Sequence, residues 1–336
     1  MNWWLLTRQT INKIVKASGI QEGELVLLHF WGEQEQEDVL EEFAEAVVAA
    51  GASPLELRQS RSRNQKLFAQ ATESSFGEKY FSVFEKVDTV LDIFVYQLVV
   101  LGAQLEEEQM MIYKHYMGNL FGALGKVQRF LQIRIPTQEN ALESGLEPEE
   151  YITRMEKAYD IDYEVLKEKC MKKKAEMEKA SEIVITTGNE YQLQLSFKDR
   201  AWEVDAGEGD MPCGEIYIAP MEEATEGQVY FEKLYVEDVG AYDDVVLEIH
   251  NGIVEKSNCK EVNEFLQQLG TAEKTVCELG FGMNDHVTEP CGYAVLDEKM
   301  CDTFHIAIGD NTMFGGKNQA QLHMDFVGKA QINLVE

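Results

Sequence analysis

The hydrophobic period changes once along this chain, and that change restricts the folds open to it. Up to about residue 135, buried-looking apolar runs alternate with segments whose apolar residues recur three and four positions apart; beyond residue 180 the period is two almost throughout. Ile11, Ile14 and Val15 place a helix between Thr7 and Ser18, and after the turn Gly19 to Gly23 the run Glu24-Leu25-Val26-Leu27-Leu28-His29-Phe30 reads as a buried strand. Val39, Phe43, Ala46, Val47 and Ala50 follow at helical spacing, Gly51 stands where a C-terminal cap belongs, and Pro54-Leu55-Glu56-Leu57 starts another strand. Strand, helix and strand in so short a span make a parallel unit. Thr89 to Tyr96 and Gln132 to Ile135 read as further strands, and His29, at a strand end, reads as core.

Between Pro148 and Ala180 the text is helical and laced with both signs of charge, as solvated helix faces are, and it reads as a hinge. Strands follow at Glu182 to Thr187, Gln192 to Phe197, Ala201 to Val204, Glu215 to Ile218, Gln228 to Val236 and Val245 to Ile249, with one helix near Lys260 to Leu269. The fold class is therefore α/β: an open α/β sheet domain with its helical hinge over residues 1–180, then a β-rich α+β domain over residues 181–336 that would carry the metal chemistry. There is no Walker loop, and Gly280-Phe281-Gly282 lacks the third glycine of a dinucleotide fingerprint.

The chain's 336 residues, 45% of them hydrophobic, are ample for packed cores. Thirty Lys and Arg against 60 Asp and Glu give a net charge of -30, which disfavours nucleic acid and anionic membranes as partners. Such a surface suits metal ions and amine-bearing ligands, and also simple solubility. Cys170, Cys213, Cys259, Cys277, Cys291 and Cys301 form no C-x-x-C pair, and MNWWLLTRQT is too short an apolar run for a secretory signal, so reduced thiols in cytoplasm are expected. The most apolar stretch, Val90 to Ala103, contains Asp92 and Gln97, is too short to span a bilayer, and reads as core.

The chemistry gathers in Phe304 to Phe326, FHIAIGDNTMFGGKNQAQLHMDF. On a strand, His323 and Asp325 share one face while Met324 and Phe326 share the other. His305, in the alternating run Phe304 to Ile308, reads as a second strand, and Gly309-Asp310-Asn311 and Gly315 to Asn318 mark the turns between. A lone His-x-Asp triplet is more often hydrogen-bonded structure than a ligand pair. Three carboxylates then stand in apolar or glycine-flanked text: Glu215, Glu278 and Glu298. A bare carboxylate is expensive to bury unless paired or bound to metal, although Glu215 or Glu278 alone could cap a loop. With His305, His323 and Asp325 they form a nitrogen and oxygen donor set for one or two divalent ions, zinc, cobalt, manganese or magnesium. Cys213 and Cys277 read as small packing residues.

Pro212 to Pro220, Glu278-Leu279-Gly280-Phe281-Gly282-Met283-Asn284, Asp297-Glu298-Lys299 before His305 to Asp310, and Gly315-Gly316-Lys317-Asn318 before His323-Met324-Asp325 occur in one order and spacing. In these, and upstream in Pro136 to Ala141 and Ala158 to Tyr163, the chain resembles the thermophilic metallo-aminopeptidases of the aminopeptidase T and S type, as a short-form member. The resemblance implies a two-domain homodimeric exopeptidase acting on peptides with a free N-terminus, with two metal ions held by the C-terminal domain. It implies Glu215, Glu278, His305, His323 and Asp325 as metal ligands, and Glu298 or Glu278 as the carboxylate that moves the proton. Where longer members place a tyrosine after the first histidine, this chain has Asn311, Thr312 and Met313. Two other readings stand beside it. Two histidines and one carboxylate are also the ligand set of a mononuclear iron oxygenase, and ring-cleaving dihydroxypyridine dioxygenases resemble this scaffold; a catalytically silent peptide- or metal-binding relative is the third.

Overall fold

The computed structural model describes residues 6–96, 105–188 and 190–335. Its strands in chain order are β1 (Leu25–Trp31), β2 (Ser53–Gln59), β3 (Thr89–Phe94), β4 (Arg129–Arg134), β5 (Glu182–Thr187), β6 (Tyr191–Ser196), β7 (Glu203–Asp205), β8 (Asp210–Met211), β9 (Glu215–Ile218), β10 (Glu226–Val236), β11 (Gly240–His250), β12 (Ile253–Ser257), β13 (Val276–Gly282), β14 (Phe304–Gly309), β15 (His323–Gly328) and β16 (Gln331–Val335). The chain divides into two compact units, one built from residues up to Tyr163 together with Gly207–Pro212, the other from Glu164–Ala206 and from Cys213 onward. The sequence reading drew a boundary at residue 180; division by compactness falls after Tyr163 and gives most of the helix Tyr163–Met177 to the second unit.

The first unit is a parallel sheet in the order β2-β1-β3-β4-β8. The near-continuous apolar text of β1 and β3 is what a parallel strand covered on both faces requires, and β3 is buried from end to end. Residues 97–103 of the apolar run that begins at Val90 lie outside the described residues. The helix Arg8–Ala17 starts on Thr7, whose hydroxyl accepts the Thr10 amide at 3.1 Å, and it buries Ile11, Ile14 and Val15. His29 is fully buried as expected, and it lies 3.0 Å from Asp92 on the adjacent strand, which also accepts the Trp31 indole N–H at 2.7 Å.

The second unit holds two antiparallel sheets, ordered β12-β11-β10-β6-β5-β16 and β15-β14-β13-β9-β7. Their apolar faces meet: the Phe231 ring of β10 lies 5.9 Å from Phe304 of β14 and 6.4 Å from Phe326 of β15. Strands β8, β12, β13 and β16 escaped the sequence reading. Glu278 accordingly sits within a fully buried strand, not at a loop cap, and Glu215 opens β9. Among the described residues no helix is long and apolar enough to cross a membrane.

Candidate metal centre

The second sheet of this unit, β15-β14-β13-β9-β7, has one apolar face and one that carries the donors. Register places Asp205 opposite Glu215, Glu215 opposite Gly282, Glu278 opposite Ala307, and Ala307 opposite Asp325. It also places Tyr217 opposite Gly280, Gly280 opposite His305, and Gly309 opposite His323. Alternation puts Ile216, Ile218, Leu279, Phe281, Phe304, Ile306, Ile308 and Phe326 on the other face, where all are buried. On at least one side, each donor thus faces a residue with little or no side chain. Directly opposed Cβ atoms are only about 4.5–5.5 Å apart, so a larger neighbour would occupy the space between donors.

The structure brings Glu215, Glu278, His305, His323 and Asp325 together in two groups that share Glu278. Glu215, Glu278 and His305 offer donor atoms within 4.8 Å of one another, and so do Glu278, His323 and Asp325. Glu278 Oε1 lies 3.2 Å from His305 Nε2 and its Oε2 lies 3.3 Å from His323 Nε2. His305 Nε2 is 3.4 Å from Glu215 Oε2, and His323 Nε2 is 3.6 Å from Asp325 Oδ2. Glu298 stands outside both groups, 2.6 Å from the ammonium of Lys299, which also donates to Glu215 Oε1 at 2.5 Å.

The electrostatics follow from buried carboxylates that outnumber their cations, two of them, Glu215 and Glu298, sharing Lys299. Burial raises the Glu278 carboxyl, but hydrogen bonds from His305 and His323 outweigh it and hold the group at about 2. Burial lowers His305, and Glu278 and Glu215 overcome that to lift the imidazole to about 9. Against the same lowering by burial, Asp325, Cys277 and Glu278 drive His323 far above the histidine range. Burial pushes Glu215 up to about 7, with Lys299 and His305 offsetting only part, and drives Glu298 well above its usual value. These carboxylates draw cations of any kind. The residues fit a divalent ion: the donors are imidazole nitrogens and carboxylate oxygens, and Glu215 Oε2 and Asp325 Oδ1 are buried without a hydrogen bond.

The loop after β14 orients the second histidine. His323 Nδ1 lies 2.8 Å from the Asp310 carbonyl, so an Nδ1–H donated there leaves Nε2 free to act as a ligand. Cys277 Sγ, 3.6 Å from the same nitrogen, packs and also touches the ring. Asn311 is fully buried, donating to the Cys277 carbonyl at 3.2 Å and accepting the Asn318 amide at 2.9 Å. The Thr312 hydroxyl donates to Asp310 at 2.7 Å, and Met313 is 95% exposed. Phe314 lies edge-on to His323 and to Tyr217, at 6.0 and 5.3 Å between ring centres. Arg200 clamps the loop, donating to the Gly315 carbonyl and to both oxygens of Glu222, which in turn accepts the Lys317 amide at 2.6 Å.

Sequence reasoning missed Lys299, Asp205, Tyr217 and the Arg200–Glu222 clamp. For Tyr217 a signal existed, since period two from Glu215 puts it on the donor face. Lys299, 1% exposed, sits in an Asp-Glu-Lys triplet that reads like a solvated turn.

A family model described as thermophilic metalloprotease (M29) matches residues 13–334. Wild-type AmpT from Thermus thermophilus is similar in structure, with a TM-score of 0.66, 15% identity and 98% of each chain covered. A 2,5-dihydroxypyridine dioxygenase from Pseudomonas putida KT2440 is similar with a TM-score of 0.64 and 13% identity, over 97% of this chain and 93% of that one. At such identities the likeness to both structures is one of fold. No curated protein matches in sequence.

Proposed function

Because the chain belongs to the thermophilic metalloprotease (M29) family, a family of metal-dependent peptidases, we propose that it is an aminopeptidase that hydrolyses the N-terminal residue from peptides with two divalent ions. The observation that carries this reading is the division of Glu278, one oxygen toward His305 and the other toward His323, 3.2 and 3.3 Å away. Glu215, Glu278 and His305 would hold one ion and Glu278, His323 and Asp325 the other. When bound, such ions lower the pKa of a coordinated water and polarise a carbonyl. Glu298, at the end of a Lys299 bridge to Glu215, is in reach of the same cluster and would move the proton, Glu278 being the other carboxylate able to do so. The surplus of carboxylates would accept the substrate's α-ammonium, limiting the reaction to chain ends. A homodimer that covers the open β2 edge of the parallel sheet, and a cytoplasmic location suited to cysteines that form no disulfide, belong to the same proposal.

The dioxygenase reading uses His305, His323 and one carboxylate, and leaves Glu215 and the second oxygen of Glu278 without a task. Metal content separates the two. Protein purified without chelator and reconstituted is expected to hold two redox-inert ions per chain and to release p-nitroaniline from Leu-p-nitroanilide. A single iron per chain with oxygen consumed on a dihydroxypyridine would replace this reading.

A further inference from the structure

Tyr217 is a polar residue on the donor face that neither ion would need. It follows Glu215 by two positions on β9, so both side chains leave the same face. Across the sheet it opposes Gly280, and Gly280 in turn opposes His305. A Cβ placed on Gly280 would lie 2.0 Å from His305 Nε2, so the imidazole leans over the glycine toward β9, into the space beside Tyr217. Neighbouring strands are about 4.8 Å apart, which makes the phenol ring the lateral wall of the Glu215, Glu278 and His305 group.

The ring is fixed and the hydroxyl is unused. Phe314 packs edge-on at 5.3 Å between ring centres, and Tyr217 is half-buried. Its hydroxyl makes no hydrogen bond among the described residues, although Gln59, Asp244 and the Met211 carbonyl partner the hydroxyls of Tyr116, Tyr230 and Tyr159. A tyrosine with its ring packed and its hydroxyl unpartnered beside a cluster of acceptors is placed to donate to something that arrives. Of the carboxylates that act on the phenol, Glu215 and Glu278 are committed to His305, His323 and Lys299.

We propose that the Tyr217 hydroxyl is a substrate-facing donor, giving its hydrogen bond to the carbonyl oxygen of the bond under attack and holding it as that oxygen gains negative charge. The inference rests on the hydrolytic reading above. It assigns the oxyanion donor to β9, on the Glu215 side of the cluster. No covalent bond to the phenol forms and its proton stays on oxygen.

Tyr217→Phe keeps the ring and its packing on Phe314 and removes only the donor. In the metal-loaded full chain, metal content and melting temperature are expected to stay as in the parent, with KM for Leu-p-nitroanilide within about twofold. The expected fall in kcat is about ten- to a hundredfold, at and below the range for removal of an oxyanion donor. Binding of leucine phosphonic acid, a tetrahedral oxyanion, should weaken about tenfold by calorimetry. If the parent cleaves no amide yet Tyr217→Phe still weakens the phosphonate, the donor stands and the peptidase reading falls. Unchanged kcat and phosphonate affinity overturn the donor, as does a loss of metal in Tyr217→Phe, which would mean that the phenol supports the ligands. A parent that neither cleaves nor binds the phosphonate overturns both.

Discussion

Gly280 stands opposite His305 on adjacent strands, and a methyl group on Gly280 would lie 2.0 Å from the imidazole Nε2. No shift at the far end of a flexible chain relieves that overlap, because the ring is fully buried and held 3.2 Å from Glu278. Gly280→Ala is therefore expected to displace His305, reduce bound metal from two ions per chain to one, and lower activity by more than about a hundredfold, as misplacement of a reacting group by about 1 Å does. Metal analysis after desalting checks it; two ions retained would contradict the geometry.

The strand alternation of β15 yields a second expectation. His323→Ala and Asp325→Ala should each remove the ion of the second group and abolish turnover, while Met324→Leu, pointing to the other face, should leave both largely intact. If Met324→Leu proves as damaging as the histidine change, the assignment of faces fails.

Lys299, 1% exposed between Glu215 and Glu298, is the resident cation of the cluster. Lys299→Met leaves two buried carboxylates without it, a loss of about 3–5 kcal/mol in the metal-free protein by analogy with broken buried ion pairs. Denaturant unfolding with and without metal measures this, and added metal should restore part of the loss. Equal stability of parent and variant in the metal-free state would show that the ammonium is dispensable.

These expectations also mark what the sequence made legible. The alternating text of β14 and β15 made His305 legible as a strand residue and put His323 and Asp325 on one face, because period two is a local property. The parallel unit from β1 to β2 was equally local. Glu278 was recognisable as a misplaced acid but not as a strand residue, since Val276 to Gly282 is apolar on both faces apart from it. The small residues that stand on one side of each donor, Gly280, Gly282, Ala307 and Gly309, acquire meaning only through register, which no single strand's text encodes. Lys299 and the Arg200–Glu222 clamp depend on long-range closure in the same way.

Protons and metal compete for the same donors. In the metal-free protein His305 is raised from 6.5 to about 9, so it carries a proton across that window and must release it to bind an ion. Metal affinity should therefore strengthen as pH rises toward 9, and His323, whose proton is held more tightly still, extends the rise beyond it. The metal-free fold behaves oppositely: the contribution of charged His305 is full below 6.5 and is lost as pH rises through about 9. Calorimetric titration in two buffers of different ionisation enthalpy at pH 7.5 should record proton release on binding; none released would contradict it.

The central claim, hydrolysis directed by a free N-terminus, is tested most directly by capping the amine. Metal-reconstituted protein is given Leu-p-nitroanilide and its N-acetyl form, with a chelator control. An acidic site that binds the α-ammonium should lose about a hundred- to several-thousandfold in kcat/KM on the capped substrate, corresponding to the roughly 3–5 kcal/mol of an unpaired buried charge. Equal cleavage of the two forms would contradict N-terminal recognition and leave a general metallohydrolase.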